Sequence, residues 1–223
     1  MTIDIITLFP DMFRGPFDMS MLLKAQDKAL ATITLHDLRA FGLGPRRTVD
    51  DTPYGGGDGM LLKPEPVVAA IEAVKALRPE ALVVIMTPGG EPFVQATAAR
   101  LAASPGLIIV AGHYEGFDER IMASVDLQLS IGDYVLTGGE LPAMVVTDAV
   151  VRLIPGVLGG LASAADESFS DGQLEYPQYT RPANFRGQVV PEVLQQGNHG
   201  AIAQWRRDQS AQKTRDQRPD LVA

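Results

Sequence analysis

The chain contains no cysteine among its 223 residues. Without thiols the protein forms no disulfide bond, no thiolate zinc site and no cysteine nucleophile, so its chemistry uses other atoms. The sequence also lacks a long apolar run at its start, where the first such run ends by Pro10 and no basic residue precedes it. This pattern is too short for a secretion signal or a membrane span, and we therefore expect a cytosolic protein.

Two nucleotide-binding fingerprints are also missing, because neither G-x-G-x-x-G nor G-x-x-x-x-G-K-[ST] occurs. Their absence argues against a Rossmann dinucleotide site and a P-loop. The three histidines, His36, His113 and His199, have no spacing or carboxylate pattern of the metalloenzyme kind, so no metal site is predicted. His113 lies in a glycine loop, where it either donates a hydrogen bond or is simply exposed.

Positive charge is in deficit: 19 Lys and Arg residues stand against 27 Asp and Glu residues, for a net charge of −8. A protein that coats nucleic acid by neutralising phosphates is therefore not indicated. Basic clusters do occur locally, one at Arg46 and Arg47 and a second that comprises Arg206, Arg207, Lys213, Arg215 and Arg218. The second cluster is either a binding patch or a solvated helix face, because aspartates are interspersed among its cations.

The sequence is rich in alternating strand-like and helix-like segments. Apolar residues make up 46% of the chain and charged residues 21%, as in ordinary globular domains. β-branched and aliphatic runs predict strands over residues 2–8, 31–36, 81–86 and 107–110. Apolar residues at helical spacing predict helices over residues 21–30, 66–77 and 93–103. The alternation predicts an α/β domain with a parallel sheet.

Residues 140–154 form a helical pattern that is apolar on nearly every side, and such a helix needs cover all round. In a chain of this length a second subunit can provide part of that cover, so we expect a homodimer, with a helix buried within one chain as the alternative. Residues 159–188 have no periodicity and predict a long functional or mobile loop. Helical segments over residues 191–195 and 201–214 follow it.

Glycine-rich loops follow several predicted strands, at residues 55–59, 89–90, 112–116 and 138–139. The carboxyl ends of parallel strands form the usual ligand crevice of an α/β sheet. The fullest motif is S-I-G-D-Y-V-L-T-G-G-E-L-P over residues 130–142, where a glycine pair directly precedes a helix. Glycines let a ligand contact bare backbone, so the motif predicts a small-molecule site or, alternatively, an ordinary strand-to-helix turn.

Three charged side chains are candidates for catalysis. Arg152 lies four residues after Asp148 on one face of the apolar helix, and its charge there indicates a site role or a structural ion pair. Asp166 and Glu167 lie in the stretch A-A-D-E-S-F within the aperiodic segment. Either carboxylate could act as a general base once that segment closes, and two solvated acids are the alternative.

Taken together, the motifs resemble the bacterial tRNA (guanine-N(1)-)-methyltransferase (TrmD) family of the SPOUT superfamily over essentially the whole chain. The matching motifs are L-F-P-D-M-F at residues 8–13, R-T-V-D-D-T-P-Y-G-G-G at 47–57, G-H-Y-E-G-F-D-E-R at 112–120, the motif at 130–142, I-P-G-V-L-G at 154–159 and Y-T-R-P at 179–182. The resemblance implies an α/β fold with a SPOUT-type parallel sheet tied in a deep trefoil knot, plus a small helical C-terminal domain. Such a knot is an exception to the general rule that chains do not thread loops.

The resemblance divides the chain into an S-adenosylmethionine-binding domain over residues 1–160, an interdomain linker and active-site loop over 161–187, and a helical tRNA-binding domain over 188–223. The implied cofactor-binding residues are Met86, Pro88, Gly112, Tyr114, Glu115, Gly116, Ser130, Ile131, Gly132, Asp133, Tyr134, Val135, Leu136, Gly138, Gly139 and Pro142. S-adenosylmethionine carries no phosphate, which agrees with the missing P-loop. Magnesium (Mg2+) is associated with the family's reaction, although the sequence offers no ligand cluster for it.

The implied reaction is methylation of ring nitrogen N1 of guanosine at tRNA position 37, beside the anticodon, in a homodimer whose active site lies at the subunit interface. By similarity, Arg152 stabilises charge on O6 and Glu167 is the general base. The family usually has Asp at the latter position, and an added methylene moves the carboxylate by roughly 1 Å, so Asp166 is the alternative base. Because the chain ends earlier than many relatives, we also expect a less extensive grip on tRNA.

Two other functional classes make different predictions. A noncatalytic RNA-binding regulator of the same fold would be expected to have lost Arg152 and the acids, and this sequence retains them. A nucleotide-dependent oxidoreductase or kinase would carry the dinucleotide or phosphate fingerprints that are missing here.

Overall fold

The computed structural model describes residues 1–159 and 167–222. The chain divides into two compact units, Met1–Gly159 and Gly160–Ala223. Within the described residues, no helix is both long and apolar enough to cross a membrane.

A five-stranded parallel sheet is the centre of the first unit, with strand order β2-β1-β6-β5-β7. A short antiparallel pair, β3 with β4, lies outside it. The strands of this unit are β1 (Thr2–Thr7), β2 (Thr32–Asp37), β3 (Asp50–Asp51), β4 (Leu61–Leu62), β5 (Leu82–Pro92), β6 (Gly106–Ala111) and β7 (Leu127–Ser130). The central strand β6 is buried along its whole length, which explains its unbroken aliphatic sequence.

Helices cover both faces of this sheet. They are α1 (Ser20–Asp27), α2 (Pro64–Leu77), α3 (Gln95–Ala102) and α4 (Glu140–Val151), with 3₁₀ helices at Pro10–Phe13, Leu38–Phe41 and Glu119–Ser124. Ile109 on β6 packs in the apolar cluster that includes residues of α1, α3 and α4, whereas its neighbour Ile108 packs in the cluster that includes α2. Successive side chains of a strand point to opposite faces, so the two clusters form separate core layers.

The prediction of an α/β domain with a parallel sheet is confirmed, and all four predicted strands are present, three of them within one residue of their expected ends. The predicted helix over 66–77 begins earlier, at Pro64, and the one over 140–154 ends at Val151. Strand β7 was not predicted, because its four residues include a polar Gln128 and show no extended apolar run. Strand β5 runs past its predicted end, through a glycine pair that reads as a loop.

That extension of β5 contains an irregularity that shapes the site. Met86 and Glu91 both pair with Leu129 of β7, so the four residues between them bulge out of the ladder. Gly90 allows the strands to come together again, since a Cβ there would lie 2.5 Å from the Leu129 backbone nitrogen.

The second unit is built around one long helix, α5 (His199–Gln217), whose first turn is capped by the Asn198 side chain. It also contains a hairpin of β8 (Asn184–Phe185) and β9 (Gln188–Val189) and 3₁₀ helices at Glu192–Leu194 and Pro219–Leu221. The preceding segment is tied to α5, because the Leu174 nitrogen donates to the buried Thr214 hydroxyl at 2.9 Å. The predicted helix over 201–214 lies within α5, while residues 191–195 form only a 3₁₀ turn.

Candidate active site

A cleft of about 450 Å³ opens at the carboxyl end of the parallel sheet. Its walls are the bulge of β5, the loop after β6 and the segment between β7 and α4. The lining residues are Met86, Thr87, Pro88, Gly89, Gly112, His113, Tyr114, Glu115, Gly116, Phe117, Glu119, Met122, Gln128, Leu129, Ser130, Ile131, Gly132, Tyr134, Val135, Leu136, Gly138, Gly139 and Pro142. This volume is in the range typical of small-molecule sites.

Two of the walls are joined backbone to backbone. The Gly139 nitrogen donates to the Gly112 carbonyl oxygen at 2.6 Å, and His113 and Gly138 form an isolated antiparallel bridge. A Cβ on Gly139 would lie 2.6 Å from the Gly112 nitrogen. Gly139 is therefore required for this close approach, and the cleft floor here is bare backbone.

The loop after β6 has an unusual backbone conformation. Tyr114 has φ +59°, a left-handed conformation that is uncommon for a residue with a side chain, and Gly116 has φ +120°. Neighbouring Glu115 donates its backbone N–H to the Met60 carbonyl at 3.0 Å, and its side chain fills the space a Cβ on Gly59 would need. Strained residues held by their surroundings are frequent at binding sites.

The wall after β7 is held by local hydrogen bonds. The Ser130 hydroxyl donates to the Gly132 carbonyl at 3.1 Å, and the Tyr134 hydroxyl donates to the Ile131 carbonyl at 3.2 Å. The Tyr134 ring covers Gly132, where a Cβ would lie 2.4 Å from a ring carbon. Gly132 has φ +151°, so glycine suits this position for space and conformation alike.

The charge of the cleft is distinctive. Among the described residues, its lining includes no Lys or Arg side chain, but it includes the carboxylates Glu115 and Glu119. Just beyond it, Arg120 donates two hydrogen bonds to Asp118, at 2.8 and 2.7 Å. The Arg120 side chain, together with its backbone N–H, lowers the pKa of Asp118 from 3.8 to about 2. A cleft of this kind favours a ligand that is positively charged and carries no phosphate.

The structure brings the predicted cofactor residues together in this one cleft, with a single exception. Asp133 is exposed and does not belong to the lining. Its neighbour Gly132 turns at a positive φ, and at 133 the chain faces solvent.

Several lining residues were not predicted. Thr87 and Gly89 flank Pro88 in the β5 bulge, and Phe117 and Glu119 continue the 112–120 motif. Gly89 belongs to a glycine-rich loop noted in the sequence, and Phe117 and Glu119 belong to a motif shared with the family, but none of these residues was assigned to the cofactor site. Met122, Gln128 and Leu129 reach the cleft through a 3₁₀ helix and through β7, and no local pattern indicated that.

The predicted catalytic residues lie in different parts of the chain. Arg152 directly follows α4, is partly buried, and donates its backbone N–H to the Asp148 carbonyl at 3.1 Å. Glu167 belongs to the second unit and is also partly buried, with its carbonyl accepting from the Ser170 nitrogen at 3.2 Å. Asp166 lies outside the described residues.

Within residues 1–159 and 167–222 no group of three or more His, Asp or Glu side chains could hold a metal ion. We therefore assign no residue of this site to Mg2+.

Comparison with known proteins agrees with this geometry. The family model described as tRNA (Guanine-1)-methyltransferase TrmD matches residues 1–223. A tRNA (guanine-N(1)-)-methyltransferase of Myxococcus xanthus is 56% identical over 222 residues, which cover 99% of this chain and 90% of the relative. The enzymes of Syntrophotalea carbinolica and Geobacillus kaustophilus are each 54% identical to this chain. Their alignments cover 100% of this chain and, respectively, 90% and 91% of the relative. The chain belongs to the tRNA (guanine-1)-methyltransferase TrmD family.

Proposed function

We propose that this enzyme transfers the methyl group of S-adenosylmethionine to N1 of guanosine at tRNA position 37, next to the anticodon. The observation that carries the proposal is the glycine-floored cleft, whose described lining has two carboxylates and no cationic side chain. A sulfonium with a free amino group is positively charged and has no phosphate, so it fits this lining where ATP or NAD would not. Membership in a methyltransferase family supports the same donor.

The residues of the cleft suit the parts of this donor. Backbone groups of the glycine floor that are not used in the Gly139–Gly112 hydrogen bond can bind the adenine edge, and Met86 and Leu136 provide apolar surface for its faces. When bound, S-adenosylmethionine supplies an electrophilic methyl group on its sulfonium.

The catalytic step requires a proton acceptor, because N1 of guanine carries a proton at neutral pH. We assign this role to Glu167, which would take the N1 proton as the methyl group is transferred. Negative charge then builds on O6, and the guanidinium of Arg152 would stabilise it. Asp166 is the alternative base.

The substrate is a tRNA whose anticodon loop presents the target base unpaired. We infer that residues 188–223 form the tRNA-binding domain and residues 161–187 the linker that completes the active site. In support, the second unit combines cations with aromatic rings: Arg206 lies 4.7 Å above the ring of Tyr176, and Trp205 lies 6.4 Å from Tyr179. Stacked rings and guanidinium planes are typical of single-stranded RNA sites.

The enzyme is proposed to act as a homodimer with its active site at the subunit interface. In support, the apolar residues Leu141 and Val145 of α4 are 51% and 47% exposed to solvent in the single chain. Their spacing of four residues places both on one helical face. An exposed apolar helix face next to a ligand cleft is suited to a second subunit.

We further propose that the chain between β7 and α4 belongs to a deep trefoil knot, and that the protein acts in the cytosol. The knot is supported by family membership and by the hydrogen bond that closes this segment against the loop after β6.

Methylation of an unmodified tRNA transcript tests the function directly. We expect transfer to a transcript with guanosine at position 37 and none to the same transcript with adenosine there. A thermal shift adds a second readout: stabilisation by S-adenosylmethionine, with none by NAD or ATP, is expected. Transfer to both transcripts would overturn the assigned specificity, and tRNA binding without transfer would favour a noncatalytic regulator.

A further inference from the structure

A carboxylate is buried directly beneath the cleft. Glu140 is the first residue of α4, its side chain is only 2% exposed, and it does not line the cleft itself. Its Oε1 accepts a hydrogen bond from the hydroxyl of Thr7, at the end of β1, at 2.9 Å. The helix N-terminus favours a negative charge here. Removing a carboxylate from water is nevertheless costly, so a buried carboxylate is seldom retained for packing alone.

The second oxygen of this carboxylate faces a histidine that does line the cleft. Glu140 Oε2 lies 3.7 Å from His113 Nδ1, a nitrogen that is buried and has no hydrogen-bond partner within the described residues. The imidazole packs against two rings, with centroids 4.8 Å from Phe9 and 5.1 Å from Tyr114. His113 therefore lies next to both the buried Glu140 and the cleft-lining Tyr114.

Gly138 packs directly against the side chains of both Glu140 and His113. A Cβ on Gly138 would lie 2.3 Å from Glu140 Oε2 and 2.6 Å from His113 Nδ1. The carboxylate, the imidazole and the Gly138 backbone thus occupy one tightly filled volume. Any shift of the Glu140 side chain would be transmitted to both walls that meet at the His113–Gly138 bridge.

We propose that Glu140 is a positioning residue for the methyl-donor site: held by Thr7, its carboxylate fixes the imidazole of His113 and thereby the loop after β6. The inference deepens the proposed function and rests on it. Glu140 acts on binding through His113 rather than on the transferred group, so its loss should weaken donor binding more than it slows turnover at saturation.

The test compares Glu140→Gln with the unaltered protein by calorimetric titration with S-adenosylmethionine and by steady-state methylation of tRNA. Loss of one contact to a charged group predicts about a tenfold rise in Kd and in KM for the donor. We expect kcat at saturating donor to change less than about threefold. An unchanged Kd, or a fall confined to kcat, would overturn the proposal.

A double-mutant cycle shows whether the effect passes through the histidine. In a His113→Leu background, Glu140→Gln should change Kd by less than about twofold, because the group it positions is gone. A full further loss of about tenfold would show that Glu140 acts by another route and would overturn the proposal.

Asp4 provides a matched control. Like Glu140 it is a buried carboxylate, but it lies on β1, is 2% exposed and does not line the cleft. Its Oδ1 lies 2.7 Å from His36 Nε2. Asp4→Asn should lower the melting temperature while leaving Kd for the donor within about twofold. Equal weakening by Asp4→Asn and Glu140→Gln would mean general destabilisation and would overturn the proposal.

If the Glu140→Gln variant does not fold, substitutions of Thr7 provide the same test. Thr7→Val removes the hydroxyl donor and should raise Kd, whereas Thr7→Ser keeps it and should restore the unaltered value. Equal Kd values for Thr7→Val and the unaltered protein would overturn the proposal. Failure of the proposed function is distinguishable, because the unaltered protein would then bind no S-adenosylmethionine at all.

Discussion

The Gly139 nitrogen and the Gly112 carbonyl oxygen are joined by a 2.6 Å hydrogen bond, although they belong to segments separated by an entire strand and a 3₁₀ helix. The bond closes the cleft at its floor, where two backbones approach too closely for any side chain. Cleft formation therefore depends on glycine for space, since Gly139 itself has an ordinary φ of −84°.

We predict that Gly139→Ala abolishes measurable donor binding and lowers the free energy of unfolding by about 1–3 kcal/mol, the usual effect of overpacking. The added Cβ would lie 2.9 Å from the Ala111 Cα as well as against the Gly112 nitrogen, and neither is a side chain that can rotate away. Calorimetric titration and urea denaturation measure the two effects. The matched control is Gly159→Ala, where a Cβ meets nothing within 4 Å. Tight donor binding by Gly139→Ala would contradict the structural role of this contact.

We predict that Glu167→Gln slows single-turnover methyl transfer by about 10²-fold or more, because the general base is lost. Donor binding should stay within about twofold, since Glu167 does not line the cleft. Asp166→Asn is the control and should retain most of the rate. The reverse result would assign the base to Asp166, and full retention of the rate by both variants would eliminate a carboxylate base at either position.

The pair Asp118–Arg120 should make stability depend on acid pH. Because its folded pKa of about 2 lies below the ordinary 3.8, ionised Asp118 contributes stability that is fully present above about pH 4 and is lost as the pH falls toward 2. We predict that Asp118→Asn lowers the free energy of unfolding by about 0.5–1 kcal/mol at pH 7, a value discounted for solvent screening. The difference from the unaltered protein should shrink below pH 4.

Urea denaturation at pH 7, 4 and 2.5 checks this prediction. The control is the same substitution in an Arg120→Met background, where the pH-dependent effect of Asp118→Asn should be smaller, because the guanidinium is absent and only the bond from the backbone nitrogen of residue 120 still lowers the pKa of Asp118. An equal pH-dependent difference in both backgrounds would show that the carboxylate acts only as a cap for the following 3₁₀ helix, through its 3.0 Å bond from the Arg120 nitrogen.

We predict that Val145→Asp converts the proposed dimer to monomer, because it places a charge on the exposed apolar face of α4. Light scattering after gel filtration gives the mass directly. Leu77→Asp is the matched control, since Leu77 is 65% exposed on α2, on the opposite face of the sheet. A monomeric unaltered protein, or a dimer that survives Val145→Asp, would contradict the proposed interface.

The cleft could be predicted from sequence to the extent that its residues form continuous motifs. Gly112–Gly116 and the 130–142 motif are each local, so their residues were found together. Gln128 and Leu129 were missed because a strand of four residues carries almost no periodic signal. Glu140 was interpreted only as part of an apolar helix, since its partners Thr7 and His113 are distant in the chain.

The sequence by itself determined the α/β alternation, the family and most of the cleft residues, because hydrophobic periodicity and glycine-rich turns are local properties of the chain. Only the tertiary structure decided that β5 bulges against Leu129, that Asp133 faces solvent, and that a buried carboxylate supports the cleft floor. These features depend on which distant segments come into contact, and such contacts are fixed by packing of the whole sheet and its helices rather than by any one stretch of residues.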